Sequence, residues 1–242
     1  MTGTYKMAGK VVEVTSLYED VHRYCADYRC EGEPDITVKI TQEDIDYERE
    51  RSARTDEARE RKPLHAPDHL LERLAVYRRI AETAPQYGIF LFHGSCVAVN
   101  GQGYLFTAAS GTGKSTHTRL WREMLGERAV MVNDDKPLIS VTGDAVLVHG
   151  TPYNGKHRLS TDISVPLKAL CVLQRAEQNS IRRISKSEAF PMLMQQVYRP
   201  ADSAALAQTL DLISALADRV PLYRLGANMD PEAARVAYEG MK

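Results

Sequence analysis

Residues 108–116 read AASGTGKST, and few stretches of nine residues restrict a fold so tightly. The run keeps every chemical group of the GxxxxGK[ST] phosphate loop except the first glycine, which is Ala108 here. A phosphate cradle needs successive backbone N–H groups pointing inward, a strand before the turn and a helix N-terminus after it. GYLFTAA supplies the strand, and GKSTHTRLWREMLG has helical spacing that stops near Gly126. Gly111 and Gly113 admit positive φ and let an anion approach the backbone. Lys114 offers a point charge to outer phosphates, and the Ser115 hydroxyl is placed to ligate Mg²⁺. With Ser110, Thr112 and Thr116 these residues form the expected nucleotide-binding segment, 110–116. Ala108 stands at the strand-to-loop entry, where glycine shapes the backbone without touching phosphate, so a variant loop is expected and not the common G-protein type.

The surrounding pattern sharpens this. YGIFLFHGSCVAV (87–99) reads as a buried strand, and Asn100-Gly101 is a tight-turn signal leading into the strand that carries the loop. Strands joined by a two-residue turn must run antiparallel, whereas the common phosphate-loop folds feed the loop from a parallel βαβ array. AVMVN (129–133) is a further apolar strand that ends at Asp134-Asp135. Phosphate-loop enzymes need a second carboxylate near the metal at the end of a neighbouring strand. Two adjacent ones permit a division of labour, one accepting a proton and the other holding a metal. Neighbours on a regular strand point to opposite faces, so the strand must end or bulge there for both to serve. The bland alternative is a strand-terminal turn, for which Asn-Asp-Asp is ordinary composition.

Beyond the aspartates, 137–150 reads as a hairpin turning at Gly143-Asp144, KALCVLQR and IRRIS as strands, and VPLYRL as a late strand. Helices are expected near 186–196 and 203–218, and a last one with Asp230 as N-cap and Pro231 at its first position, ending by Gly240. The first 65 residues are more polar. VVEV and ITVKI alternate like short strands around a stretch, YEDVHRYCADYRC, with room for a helical turn. The charged run IDYERERSARTDEARERK suits a solvated helix or surface segment. HLLERLAVYRRIAETA then places Leu70, Leu71, Leu74, Ala75 and Ile80 on one stripe behind Asp68, a packed helix with a cap. The expected division is an N-terminal segment, 1–65, packing on a larger nucleotide-binding domain, 66–242.

Composition excludes several classes. The 242 residues carry a net charge of −1, with 43% hydrophobic and 26% charged residues, so no basic field advertises nucleic acid. No stretch approaches a membrane span or a signal-peptide core, and Cys25, Cys30, Cys96 and Cys171 form no CxxC pair. Structural thiols in a cytoplasmic protein are the expectation.

An antiparallel strand pair carrying His93-Gly94, then SGTGKST, then a paired Asp-Asp, resembles the C-terminal catalytic domain of HPr kinase/phosphorylase. It is also similar to the kinase loop and metal motif of ATP-dependent phosphoenolpyruvate carboxykinase, which shares that fold. The similarity spans about residues 88–175. It implies an α/β domain with α+β character, in which mixed, largely antiparallel sheets are flanked by helices. It further implies that Lys114 and Ser115 bind phosphate and Mg²⁺, that Asp134 is the general base, that Asp135 helps hold the metal, and that His93 lies near the transferred phosphate. A histidine tucked into the strand FLFHGSCVAV is the plain alternative for His93. The chain is far too short for a carboxykinase, and NDDKPLI replaces its GDDEHGW motif. The glycine-rich signature that follows the aspartates in HPr kinase is replaced by GTPYNGKHRLS (150–160). Lys156, His157 and Arg158 in that segment are candidates for a second anion clamp, against the alternative of an exposed basic loop.

Other features read as structural: Trp121 in core packing, Arg119 and Arg122 as solvated or ion-paired side chains near the loop, and MLMQQVYRP as an apolar helix end. The function expected is ATP-dependent transfer of a γ-phosphoryl group to a hydroxyl of a small molecule, peptide or protein. The alternative is a non-catalytic nucleotide-binding regulatory module. The acceptor is not legible, and a homo-oligomer is left open.

Overall fold

The computed structural model describes residues 1–58, 60 and 65–242 and divides into two compact units, Met1–Thr83 and Ala84–Lys242. The expected division at 65/66 lies just after the undescribed residues 61–64, whereas the two units meet at Thr83/Ala84, so the helix that follows 66 belongs to the N-terminal unit rather than the larger one.

The N-terminal unit contains strands Thr2–Met7 (β1), Lys10–Thr15 (β2) and Ile36–Lys39 (β3), with helices Asp20–Tyr24 (α1), Gln42–Ala58 (α2) and Asp68–Thr83 (α3). β1 and β2 are antiparallel and β3 adds in parallel to β2. β1 is absent from the sequence reading because its turn, Ala8-Gly9, uses an alanine at φ 50° where asparagine or aspartate is the usual signal. α2 carries the charged run, whose last residues lie outside those described. It is less solvated than expected, since Ile45 and Glu48 are buried. Arg78 of α3 explains this: its guanidinium reaches Glu48 at 2.7 Å, Asp44 at 2.8 Å and Glu82 at 3.0 Å, so one face of the charged helix packs through ion pairs. Burial opposes the charge on Arg78, but these carboxylates outweigh it and raise its pKa. On α3, Leu71, Ala75 and Ile80 are buried as expected, whereas Leu70 and Leu74 stay exposed because the buried stripe runs through Val76 and Tyr77.

The larger unit contains Ile89–Leu91 (β4), Ser95–Val99 (β5), Gln102–Thr107 (β6), Lys114–Leu125 (α4), Ala129–Asn133 (β7), Leu138–Thr142 (β8), Ala145–His149 (β9) and Ser164–Arg175 (β10). Ser180–Arg183 (β11), Lys186–Gln196 (α5), Ser203–Arg219 (α6), Leu222–Ala227 (β12) and Glu232–Met241 (α7) follow. Its nine-stranded sheet runs β4-β8-β9-β10-β6-β5-β7, with β12 also on β10 and β11 beside it. Most pairings are antiparallel, and β6, β10 and β12 are parallel. This is the mixed α/β arrangement of sheets flanked by helices.

Strand alternation sorts the core. Cys96, Ala98 and Leu105 point into a cluster with residues of α5 and α6, while Val97, Val99, Tyr104 and Phe106 pack against α4 and α7. Trp121 is fully buried in the second cluster, against Tyr104, Phe106 and Tyr238, as expected. Cys25, Cys96 and Cys171 are buried and Cys30 is half-buried, and none of the four forms a disulfide. The Asn100-Gly101 turn has φ of 51° and 73° and joins β5 to β6 antiparallel, as its sequence required.

Two local expectations are corrected. The segment 87–99 is not one strand: β4 pairs with β8, β5 pairs with β6 and β7, and the chain breaks between them at 92–94. His93 therefore sits at a break and not inside a strand. At the C-terminus, Asp230 does not cap α7; its carboxylate accepts from Asn228 Nδ2 at 2.9 Å, and the helix starts at Glu232. Among the described residues no helix is long and apolar enough to cross a membrane.

Candidate functional site

The loop after β6 adopts the geometry its composition predicts. Gly111 and Gly113 have φ of 79° and 123°, and Gly113 caps α4 with no side-chain hydrogen bond, leaving the first N–H groups of the helix directed at the loop. Ala108 is not among the residues of positive φ. Its backbone has no need of glycine, and its methyl is fully buried in the cluster around Phe106 and Trp121. The missing glycine is thus a packing substitution and leaves the cradle intact. The Ala108 carbonyl accepts a hydrogen bond from Lys114 Nζ at 3.0 Å. Burial pushes the Lys114 ammonium pKa down, and the nearby Asp135 charge opposes that shift.

The paired aspartates are positioned by Asn133. β7 ends there, and the β5–β7 register shifts between Cys96 and Val97, so the strand does both things required to turn the aspartates out of alternation. Asn133 Oδ1 accepts the N–H groups of Asp135 (2.9 Å) and Lys136 (2.7 Å), while its amide donates to the Thr151 and Tyr153 carbonyls. The side chain closes a turn on one side and ties it to 151–153 on the other.

Asp134 and Asp135 then meet different surroundings. Asp134 is buried, and its Oδ1 accepts the Gly155 N–H at 2.5 Å while Oδ2 has no hydrogen-bond partner among the described residues. Burial raises its pKa; the Gly155 N–H opposes this and the Asp135 charge adds to it. Asp135 Oδ1 lies 3.2 Å from His93 Nε2, and its Oδ2 is 3.8 Å from Lys136 Nζ. Burial would raise Asp135 as well, but the His93 bond and the neighbouring Lys136, His93 and Lys114 charges outweigh it and hold the carboxyl below its ordinary value. His93 is oriented from the far side by Gln196, whose Oε1 is 2.8 Å from Nδ1 and whose backbone carbonyl accepts the His93 N–H.

A cleft of about 840 Å³ brings these parts together. His93, the loop residues Ser110, Gly111, Gly113, Lys114, Ser115 and Thr116, and the aspartates Asp134 and Asp135 all line it. Lys156 and His157 line it beside Gly155, whereas Arg158 is exposed, at φ 52°, and does not. Thr112 lines a second cavity on the other side of the loop. Arg119 and Arg122 also line the cleft, where with Ser115 they form one face of α4; Arg119 pairs with Glu123 at 2.6 Å. Sequence reasoning missed Gly155 and Gln196. Gly155 had a signal, a glycine beside the basic loop; Gln196 had none, lying 103 residues from the histidine it orients.

No group of three His, Cys, Asp or Glu able to hold a metal occurs among the described residues. Two carboxylates, Asp134 and Asp135, line the cleft among the described residues, and the Ser115 hydroxyl stands among its neutral oxygen donors. Mg²⁺ keeps several waters and takes one or two carboxylates together with substrate phosphates, so this hard, sparse donor set suits it.

The chain belongs to the family of the SynChlorMet cassette protein ScmC, whose model matches residues 69–231. Among curated proteins no match is found. Among solved structures, the Hpr(Ser) kinase/phosphatase from Coxiella burnetii is similar over 52% of this chain and 90% of its own, at 11% identity and a TM-score of 0.29.

Proposed function

We propose that the chain is a Mg-ATP-dependent phosphotransferase that moves the γ-phosphoryl group to a hydroxyl of a small molecule, peptide or protein. One observation carries the reading. Asp134 is a buried carboxylate with a raised pKa and one oxygen without a hydrogen-bond partner among the described residues, in the same cleft as a glycine-rich loop and Lys114. A buried carboxylate with a raised affinity for protons is suited to accept one, a property that nucleotide binding alone does not require. The sequence resemblance of SGTGKST and the paired aspartates to HPr kinase supports it.

In this reading the loop N–H groups from Gly111 to Ser115 and the Lys114 ammonium hold the outer phosphates and the charge that develops on them. Ser115 and Asp135 would hold Mg²⁺, which supplies neutralisation of the β- and γ-oxygens when bound. Asp134 Oδ2 accepts the proton of the acceptor hydroxyl as its oxygen bonds the γ-phosphorus, and the bond to the β–γ bridging oxygen breaks, leaving ADP. His93, fixed between Asp135 and Gln196, stands beside the transferred group. Lys156 and His157 form the anion clamp for acceptor or γ-phosphate.

The test is γ-labelled ATP with a fractionated cell extract. Label entering a protein or metabolite with the parent chain and not with Asp134→Asn supports transfer. ATP binding by both forms with no transfer by either makes the chain a nucleotide-binding regulatory module.

A further inference from the structure

The phosphate loop has two sides, and the transfer chemistry uses one of them. On the other lies a separate cavity of about 460 Å³, within the range of about 300–1,000 Å³ that holds small organic ligands. Gly111, Gly113 and Thr116 line both cavities, so the loop is their common wall. β6, β10 and β12 run parallel, and the second cavity opens where they end, at Arg175 and Ala227 beside the loop that follows Thr107. Open α/β sheets bind ligands at that edge.

The lining is of a different kind from the first cleft. Leu120, Leu173, Ala176, Ala227 and Met229 make it largely apolar, and no carboxylate among the described residues contributes. Met229 is 75% exposed, the greatest exposure of any large apolar side chain among the described residues, and it stands at this cavity. A thioether there is suited to cover an aromatic ring. Arg175 Nη2 donates to the Gly111 carbonyl at 2.7 Å, joining the end of β10 to the loop. His117 supplies a polar handle. Trp121 Nε1 can only donate, and it bonds His117 Nε2 at 3.0 Å, which puts the proton of the neutral ring on Nδ1. Burial lowers the His117 pKa to about 4, so the ring is neutral at pH 7. His117 is 4% exposed, lines the cavity, and its Nδ1–H has no acceptor among the described residues.

We infer that this second cavity seats the nucleoside of the nucleotide, its base between Leu120, Leu173 and Met229 and its phosphates crossing Gly111–Gly113 into the catalytic cleft. The inference rests on the nucleotide reading above. His117 Nδ1–H then donates to a ring nitrogen or ribose oxygen, and the apolar walls make affinity depend on the base as well as on the phosphates.

Calorimetric titration with two probes, Mg-ADP and Mg-tripolyphosphate, separates this inference from that reading. The parent chain is expected to bind ADP at least about tenfold more tightly than tripolyphosphate. Met229→Ala, at an exposed position, and Ala176→Trp, which narrows the cavity, are each expected to weaken ADP about fivefold or more and leave tripolyphosphate unchanged. Equal affinity for the two probes, or variants that bind ADP like the parent, overturns the nucleoside site while the phosphate loop stands. Binding of neither probe overturns both. Photolabelling with 8-azido-ADP places the base directly: label on residues 173–176 or 227–229 supports the site, and label confined to other peptides contradicts it.

Discussion

Gly155 presses its backbone against the Asp134 carboxylate: its N–H donates to Oδ1 at 2.5 Å, and a methyl at position 155 would come within 3.0 Å of Oδ2. The φ of Gly155 is not positive, so close approach and not backbone freedom is what calls for glycine. Gly155→Ala should therefore displace the carboxylate with little strain in the loop. Misplacement of a catalytic group by about 1 Å costs on the order of 100-fold. The expected result is a kcat lower by about 10- to 100-fold, with nucleotide affinity and melting temperature close to the parent, measured by transfer assay, titration and thermal unfolding.

Ala108 offers the opposite case. Because its methyl is buried in the core and its backbone is ordinary, restoring the common pattern with Ala108→Gly should not improve the loop. It removes a buried methyl and adds glycine's conformational entropy, together about 1–2 kcal/mol of stability. Nucleotide affinity is expected to stay within about twofold. Denaturant unfolding and titration check the two halves of the statement.

The pH dependence follows from Asp134. Its folded pKa is raised above 3.8, chiefly by burial, so the base form is lost at a higher pH than for an exposed aspartate. Transfer should fall as pH drops through that raised value, with an acid limb at higher pH than an exposed aspartate would give. The stability effect has the matching sign: between 3.8 and the raised value the folded state binds more protons, so Asp134 makes folding less favourable as pH rises through that window. Asp134→Asn should remove this contribution, seen as a flatter stability-against-pH curve than the parent's.

Trp121 anchors the side of the sheet that carries α4 and α7. Trp121→Ala should cost about 3–5 kcal/mol, since it opens a cavity among Tyr104, Phe106 and Tyr238 and unpairs His117. Trp121 is the only tryptophan, so loss of tertiary order in the parent can be followed by its fluorescence, and the variant by circular dichroism.

Much of the larger unit was legible because its signals are local. Asn100-Gly101 and Gly143-Asp144 specify hairpins through backbone conformation, and they lie between β5 and β6 and between β8 and β9 as expected. SGTGKST specifies a cradle through the glycines it places, and both take positive φ. What was not legible depends on distant partners. The break at 92–94 that frees His93 exists because β4 and β5 join different strands, and Gln196 reaches it from α5. Glu48 is buried because Arg78, thirty residues later, neutralises it. No periodicity within α2 carries that information.

The central claim is that Asp134 takes a proton during phosphoryl transfer. It is tested most directly by transfer from γ-labelled ATP to the acceptor fraction, measured beside ATP binding for the parent and Asp134→Asn. The account predicts transfer reduced by at least about 100-fold in the variant, with ATP affinity nearly unchanged. Transfer by Asp134→Asn at the parent's rate would contradict it.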